Sequence, residues 1–160
     1  MAMVYHKKKQ HKVILEWEDR FRPKLKSMHG NHWRGIFHRL MKKSSTLKTT
    51  LKRRSKEYEV LFDMSLKEIR DIIHSAYGKK CKYCEHKLTV NNMVCDHIVP
   101  LSLGGDSAFN NLQMICDRCN RRKGPLTDKQ YGCLLFWLNK QSPLMADYVL
   151  RKMSKADVMA

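Results

Sequence analysis

The chain has 160 residues, of which 32 are Lys or Arg and 15 are Asp or Glu, so its formal net charge is +17. A charge of this size indicates a polyanionic partner. The apolar fraction of 42% excludes a wholly disordered chain, and the longest apolar run, residues 133–138, is too short to span a membrane.

The positive charge is concentrated in the first third of the chain. Residues 1–56 carry 17 Lys or Arg and three acidic residues, a net charge of +14, whereas residues 57–160 carry a net charge of +3. Such a segment can neutralise several phosphates and bind DNA or RNA without reading its sequence. An acidic membrane is the weaker alternative, because the aromatic residues of this segment also have the spacing of an ordinary core. Within this basic arm, Lys52, Arg53 and Arg54 are candidate contacts with nucleic acid.

The arm is predicted to be helical. Its apolar residues recur at steps of three and four, first from Ile14 to Met28 and then from Trp33 to Met41. Pro23 predicts a break or kink in the first set, and a reversal is expected near His29-Gly30. A third basic helical stretch is expected over residues 47–58.

Two capping sequences mark helices in the rest of the chain. Ser65-x-x-Glu68 predicts a helix that ends before Gly78, and Thr127-x-x-Gln130 predicts another through Leu138. Short strands and loops are expected over residues 79–124, with one short helix at the end. A last helix is predicted from residues 142–143 to about residue 153, and the Leu, Trp and Tyr residues of the two C-terminal helices are expected to be core.

Four cysteines have the spacing of a metal site. Cys81-x-x-Cys84 and Cys116-x-x-Cys119 form two knuckles, whose four thiolates can complete a tetrahedron around zinc. A site closed by four protein ligands is structural, because no position is left for water. The alternatives are two redox pairs or four unrelated buried thiols, with His86 as a substitute ligand.

The other two cysteines, Cys95 and Cys133, are interpreted as small buried hydrophobic residues. The apolar stretch after residues 7–9 is too short for a signal peptide, so we expect an intracellular protein in a reducing compartment. Disulfides are rare in such compartments, which favours metal binding by the paired cysteines.

The segment between and after the knuckles carries further motifs. It reads Asp-His-Ile-Val-Pro-Leu-Ser-Leu-Gly-Gly at residues 96–105, Asn-Leu at 111–112, and Cys-x-x-Cys-Asn-Arg-Arg-Lys-Gly at 116–124. In these motifs and their order the chain resembles the HNH endonucleases, in particular the small zinc-bearing kind common in bacteriophages. The resemblance covers about residues 61–124 and implies a ββα-metal unit.

Phosphodiester hydrolysis gives independent reasons for two of these residues. The reaction needs a base for the attacking water, and His97 has an unperturbed pKa near neutrality. It also needs a cation near the leaving oxygen, and Asp96 is a hard oxygen ligand for a magnesium- or manganese-like ion. Neighbouring residues of a regular strand face opposite ways, so both can serve one site only if the strand ends or twists there.

The resemblance implies the remaining roles. Asn120 is the second ligand of the catalytic ion, in a variant that ends in Asn where the commonest pattern ends in His. Asn111 is a positioning residue that fixes the loop around His97, with Asn110 as the alternative. Arg121 and Lys123 lie beside the motif and are candidate phosphate contacts, against the alternative of a solvated basic face.

These interpretations predict an α+β protein with three parts: a basic helical DNA-binding arm (1–56), an HNH nuclease unit with zinc knuckles (57–126) and a C-terminal helical packing segment (127–160). The predicted function is metal-dependent hydrolysis of double-stranded DNA, most simply nicking that leaves 5′-phosphate and 3′-hydroxyl ends. We expect structural zinc, a catalytic Mg²⁺ or Mn²⁺-like ion, no small-molecule substrate, no membrane partner, and a monomer or weak dimer. The expected location is the cytoplasm, that of the host cell if a phage encodes the chain. The alternative function is a non-catalytic zinc-knuckle protein that only binds nucleic acid.

Overall fold

A computed structural model describes the backbone of residues 2–156 and the side chains of residues 13–153. Within these residues the secondary structure consists of helices α1 (Ala2–His29), α2 (Trp33–Glu57), α3 (Leu66–Ala76), α4 (Asp117–Lys123), α5 (Asp128–Leu138) and α6 (Pro143–Ala156), and strands β1 (Met93–His97) and β2 (Leu112–Cys116). The predicted α+β class is confirmed. Over residues 2–156, none of the helices combines the length and apolar character that crossing a bilayer requires.

The chain divides into two compact units, Met1–Lys43 and Ser44–Ala160. The division falls within α2, earlier than the charge-based boundary after residue 56. The two boundaries differ because charge reports the exposed residues of a helix, whereas the last turns of α2 have a buried side within the second unit. On that side Leu51 is 3% exposed and Ser55 is 1% exposed.

In the first unit, α1 continues through Pro23, so the break predicted at that residue is wrong. A proline inside a helix costs about 3 kcal/mol. Trp17, Phe21 and Leu25 lie on both sides of it and are at most 5% exposed. Burying each of these large apolar side chains contributes about 1.5–3 kcal/mol, so packing offsets the local cost.

The predicted reversal after α1 is confirmed. Gly30 has a φ of +53°, which glycine adopts without steric cost, and it begins a short 3-10 turn that ends at His32. Phe21 of α1 then contacts Phe37 of α2, with ring centroids 5.9 Å apart. Helix α2 runs from Trp33 to Glu57 without interruption, so the second and third helices predicted for the arm are one helix.

Helix α3 begins as its sequence predicts. The Ser65 side chain accepts a hydrogen bond from the backbone N–H of Glu68, and the Glu68 side chain accepts one from the backbone N–H of Ser65. Ile69 and Ile73 on its apolar face are at most 1% exposed. Gly78 follows the helix with a φ of +77°, which places the predicted stop at a left-handed residue.

The two strands form an antiparallel hairpin that sets two ends apart. Met93 pairs with Cys116 at one end, and His97 pairs with Leu112 at the other. Helix α4 starts directly after Cys116 and contacts both strands. The cysteine knuckles therefore lie at the first end of the hairpin, and the Asp-His motif lies at the second.

The C-terminal helices are confirmed, but their apolar residues are core only in part. Tyr131 and Leu138, seven residues apart on α5, are at most 2% exposed. Five other large apolar residues are about half exposed or more: Phe136, Trp137, Leu144, Met145 and Tyr148. Cys133 is exposed too, because it lies off the buried face of α5, and its predicted burial is wrong.

Candidate metal sites and catalytic cavity

The four predicted cysteines come together in one cluster. The sulfur atoms of Cys81, Cys84, Cys116 and Cys119 all lie within 4.8 Å of one another. Between the two knuckles, Cys84 Sγ lies 3.5 Å from Cys116 Sγ. Tetrahedral zinc with Zn–S bonds of about 2.3 Å needs sulfurs about 3.8 Å apart. The cluster therefore has the ligand type, number and spacing of a structural zinc site.

Backbone N–H groups around the cluster act in favour of thiolates, against burial, which raises the pKa of Cys116 and Cys119. The N–H of Cys116 lies 3.4 Å from Cys81 Sγ, and the N–H of Cys119 lies 3.4 Å from Cys116 Sγ. The second contact also makes the Cys116 side chain the N-cap of α4. Burial opposes ionisation of Cys84, but the backbone N–H of His86 and the neighbouring thiols outweigh it and lower the pKa of Cys84 to about 6.

The alternative ligand His86 is not in the cluster. Its ring is exposed, and its Nδ1 lies 3.1 Å from the carbonyl oxygen of Cys84. The contact between Cys84 and Cys116 also runs from one knuckle to the other, as a single shared site requires and two separate redox pairs do not. The interpretation of the cysteines as one metal site is thus the one that the geometry supports.

A cavity of about 350 Å³ lies at the other end of the hairpin. Three of the four predicted motif residues, Asp96, His97 and Asn120, line it. His97 is the last residue of β1. Because the strand ends there, Asp96 and His97 can both face the cavity, as the sequence analysis required of them. The other residues that line the cavity are Arg54, Tyr58, Cys95, Pro100, Leu101, Ser102, Gly124 and Pro125.

The Asp96 carboxylate is 7% exposed and is held by two donors. Gln113 Nε2 donates to Asp96 Oδ2 at 2.9 Å, and Lys123 Nζ lies 3.1 Å from each carboxylate oxygen. Burial raises the pKa of Asp96, whereas the hydrogen bond from Gln113 and the charge of Lys123 act in the opposite direction. A carboxylate has room for about four hydrogen bonds or ligands, so these donors leave capacity for a cation.

Lys123 is predicted from the sequence as a phosphate contact, and that prediction is wrong. Its side chain has no exposed surface, and its ammonium also donates to the carbonyl oxygen of His97 at 2.8 Å. The reason is its position on α4, one turn after Asn120, on the side that faces β1. Arg121, in contrast, is exposed and forms an ion pair with Asp117 at 3.1 Å, outside the cavity lining.

A polar network extends from Asp96 to the first knuckle. The Gln113 amide that binds Asp96 also lies 3.1 Å from the Tyr83 hydroxyl and 3.1 Å from Asp128 Oδ1. Tyr83 donates a short hydrogen bond to the same Asp128 oxygen, and Lys82 pairs with Asp128 at 2.7 Å. No pattern in the sequence predicts this network, because its members come from segments that share no motif.

His97 is 5% exposed and contacts Ser107, which is held in turn by Ser55. Its Nε2 lies 3.0 Å from Ser107 Oγ, and the Ser55 hydroxyl donates to the same oxygen at 2.7 Å. Ser55 and Ser107 are both at most 1% exposed. Burial, followed by the charges of Arg54 and Lys123, lowers the pKa of His97 to about 4, so the imidazole is neutral at pH 7.

Asn111 lies outside the cavity lining and closes the loop that follows His97. Its Oδ1 accepts from the N–H of Val99 at 2.8 Å, and its Nδ2 donates to the carbonyl oxygens of Val99 and Asp106 at 3.0 and 2.8 Å. Gly105 is needed beside this clamp, since a Cβ there would lie 1.9 Å from the Val99 carbonyl oxygen and 2.9 Å from Asn111 Nδ2. These contacts support Asn111, not Asn110, as the positioning residue.

The C-terminal end of α2 forms one side of the cavity, a contribution that was not predicted from the sequence. Arg54 and Tyr58 line it, whereas Lys52 and Arg53 do not. Arg53 instead forms a short ion pair with Glu57 on the exposed side of the helix. The signal was present in the sequence, because positions 51, 54, 55 and 58 share one face of a helix.

Comparison with known proteins identifies the family of this region. Residues 81–133 match the family model described as HNH endonuclease. A segment of 46 residues is 41% identical to the CRISPR-associated endonuclease Cas9 of Corynebacterium diphtheriae, and it covers 28% of this chain and 4% of that protein. The resemblance inferred from the Asp-His, Asn-Leu and cysteine motifs is therefore confirmed for residues 81–133, the stretch that matches the HNH endonuclease family model.

Proposed function

We propose that the chain is a metal-dependent DNA endonuclease whose strand pair and α4 form a ββα-metal unit. The observation that carries this proposal is the meeting of Asp96, His97 and Asn120 in one cavity, although Asn120 is 23 positions beyond His97 in the sequence. The family match of residues 81–133 supports the same reaction class. The relative named as an endonuclease supports it too, over the short segment that the two proteins share.

The donor set in the cavity fits a hard divalent cation. Asp96 offers a carboxylate oxygen and Asn120 an amide oxygen, the ligand atoms that Mg²⁺ and Mn²⁺ prefer. Bound there, such an ion supplies positive charge next to the oxygen that leaves phosphorus. The charge of Lys123 opposes the effect of burial on the pKa of Asp96 and so favours the carboxylate form, which is the form that binds a cation.

His97 is the general base. In the tautomer that this role requires, its Nε2–H donates to Ser107 Oγ, and Nδ1 is left to take a proton from the attacking water. The resulting oxygen attacks phosphorus, the bond from phosphorus to the 3′ oxygen breaks, and that oxygen takes a proton from solvent. The products are a 5′-phosphate and a 3′-hydroxyl.

The zinc site serves structure in this proposal. Cys116 ends β2 and caps α4, and Cys119 immediately precedes Asn120. Four thiolates on one ion thus fix the start of the helix that carries a ligand of the catalytic ion.

The basic arm, residues 1–56, holds double-stranded DNA through its backbone phosphates, with Lys52 and Arg53 on the exposed side of α2. One Asp96–His97–Asn120 motif set per chain makes a nick the simplest product of a monomer, and a weak dimer can cut both strands. The proposed place of action is the cytoplasm, that of the host cell if a phage encodes the chain. Neither a small-molecule substrate nor a membrane has a role in this mechanism.

A plasmid assay tests the proposal. Wild-type protein with Mg²⁺ or Mn²⁺ is expected to convert supercoiled plasmid to the nicked form, and His97→Ala is expected to lower the rate about 10³-fold while DNA binding is retained. Ligation of the nicks without prior end repair checks the predicted ends.

The second candidate function is a non-catalytic zinc-knuckle protein that binds nucleic acid. It needs the cysteines and the basic arm but has no use for a cavity lined by Asp96, His97 and Asn120. Equal, metal-independent traces of nicking by wild type and His97→Ala, with intact DNA binding by both, would favour this candidate.

A further inference from the structure

The catalytic cavity needs a cation for the phosphate that is cut, and most nearby basic residues are committed elsewhere. Lys123 is buried against Asp96 and the carbonyl of His97. Arg121 pairs with Asp117 and does not line the cavity. Among the described residues that do line it, Arg54 is the one lysine or arginine.

The position of Arg54 follows from the period of α2. The face formed by residues 51, 54, 55 and 58 points into the second unit, where Leu51 and Ser55 are buried and Tyr58 lines the cavity beside Arg54. Lys52, Arg53 and Lys56 lie on the remaining faces and are exposed. Arg54 therefore lines the cavity and its basic neighbours do not, although all of them belong to one run of positive charge in the sequence.

Helix α2 is fixed at this point by contacts of its own. Ser55, the next residue, donates to Ser107, which holds His97. The backbone that carries Arg54 is thereby tied to the base through two buried hydroxyls.

We infer that Arg54 binds the non-bridging oxygens of the scissile phosphate, separately from the phosphate contacts of the basic arm. A guanidinium presents parallel N–H donors that match two phosphate oxygens, and its charge stabilises the charge that develops when water adds to phosphorus. Arg54 is exposed at the mouth of the cavity, so a DNA backbone can reach it. This inference rests on the proposed nuclease function and assigns to α2 a part in the chemical step.

The test compares single-turnover nicking by the full chain, with protein in excess over supercoiled plasmid and at saturating concentration. Arg54→Ala is expected to lower the first-order rate about 100-fold at saturation, as loss of one transition-state donor does. Arg54→Lys keeps the charge but not the paired donors and is expected to recover part of the rate. Guanidinium chloride at a non-denaturing concentration is expected to raise the rate of Arg54→Ala and not that of wild type.

Two substitutions of exposed lysines make the result specific. Lys52→Ala removes a cation from the exposed side of the same helix, and its effect is expected on the protein concentration needed for saturation. Lys67→Ala removes an exposed charge from α3 and serves as the general control. Zinc content and circular dichroism accompany every variant.

The outcomes separate the inference from the function on which it rests. A wild-type protein that does not nick overturns the proposed function and the inference with it. A wild-type protein that nicks beside an Arg54→Ala variant that behaves like Lys52→Ala overturns the inference alone. An Arg54→Ala variant that has lost zinc or helix content, without rescue by guanidinium, shows a structural role and also overturns it.

Discussion

The two ends of the β1–β2 hairpin are built in different ways. At one end, the cysteine cluster is formed by a turn at residues 81–84 and by the junction of β2 with α4 at residues 116–119, each only four residues long, and its sulfurs lie within 4.8 Å of one another. At the other end, the cavity is formed by β1, α4 and the end of α2, three segments far apart in the sequence. The first end depends on local spacing, whereas the second depends on which distant elements pack together.

The difference between the two ends predicts different responses to substitution. With zinc bound as proposed, the stability of the cysteine end depends on one ion, so removal of one ligand should abolish most of the free energy that the ion contributes. At the cavity end, the stabilising free energy is distributed over several buried polar contacts, so each single substitution should remove only part of it.

The largest expected effect is at the cysteine end. Cys81→Ser or Cys116→Ser is expected to release zinc and unfold the central region, because structural zinc supplies folding free energy directly. Metal analysis should give one zinc per wild-type chain and less than a tenth of that in the variants, with a lower midpoint of thermal unfolding. Cys133→Ser is the matched control, since Cys133 is exposed and outside the cluster. A Cys81→Ser protein that kept both its zinc and its midpoint would contradict the structural assignment.

The next effect separates a buried cation from an exposed one on the same helix. Lys123→Met is expected to lower the free energy of unfolding by about 3 kcal/mol, because it leaves the buried Asp96 with the Gln113 amide but without an opposite charge. Arg121→Ala breaks an exposed ion pair and is expected to cost less than about 1 kcal/mol. Urea titration of the zinc-loaded proteins measures both values. Equal decreases in the free energy of unfolding for the two variants would show that the buried ion pair stabilises the fold no more than the exposed one.

These first two predictions show what the sequence could and could not provide. The cysteine cluster was predictable in full, since a two-residue spacer determines the turn on which it depends. Asp96, His97 and Asn120 were predictable through motifs of fixed spacing. Lys123 was not, because the direction of a side chain on a short helix depends on the strand packed against it, and no local pattern reports that packing.

A smaller effect is expected behind His97. Ser107→Ala removes the oxygen that holds Nε2, and it is expected to lower the nicking rate at saturating DNA about 10-fold without weakening DNA binding. Ser55 is one hydrogen bond further from His97, so Ser55→Ala should lower the nicking rate less than Ser107→Ala does. Ser75→Ala is a control, since that hydroxyl donates to the carbonyl of Ile72 on α3. If Ser55→Ala lowered the nicking rate more than Ser107→Ala, the two serines would not act on His97 in the order in which they contact it.

The smallest effect on the chemical step is expected from the first unit. Residues 1–43 carry 12 Lys or Arg and three acidic residues, a net charge of +9. Their deletion is expected to weaken DNA binding and to flatten its salt dependence, with the logarithmic slope falling by about 0.9 for each phosphate that the protein no longer neutralises. Cleavage at saturating DNA should persist, provided that circular dichroism shows a folded remainder.

The same deletion extended through residue 56 should abolish cleavage, since it removes Ser55 and Arg54 from the second unit. A shorter deletion with an unchanged salt slope would show that the first unit serves another partner. The charge count did not give this distinction, because it placed every residue up to 56 in the arm and does not report that one face of the helix there is buried.

The wall supplied by α2 has a consequence for recombination and protein engineering. The recognisable family segment begins at Cys81, but the cavity uses residues as early as Arg54. A crossover placed at the start of the recognisable segment would transfer the cysteine cluster and the proposed cation ligands, but it would leave behind Arg54 and Tyr58 of the cavity lining and Ser55, which holds Ser107 beside His97. The smallest portable nuclease is therefore expected to begin near Ser44, where the second compact unit starts, and any host protein would have to accept half of a helix as its junction.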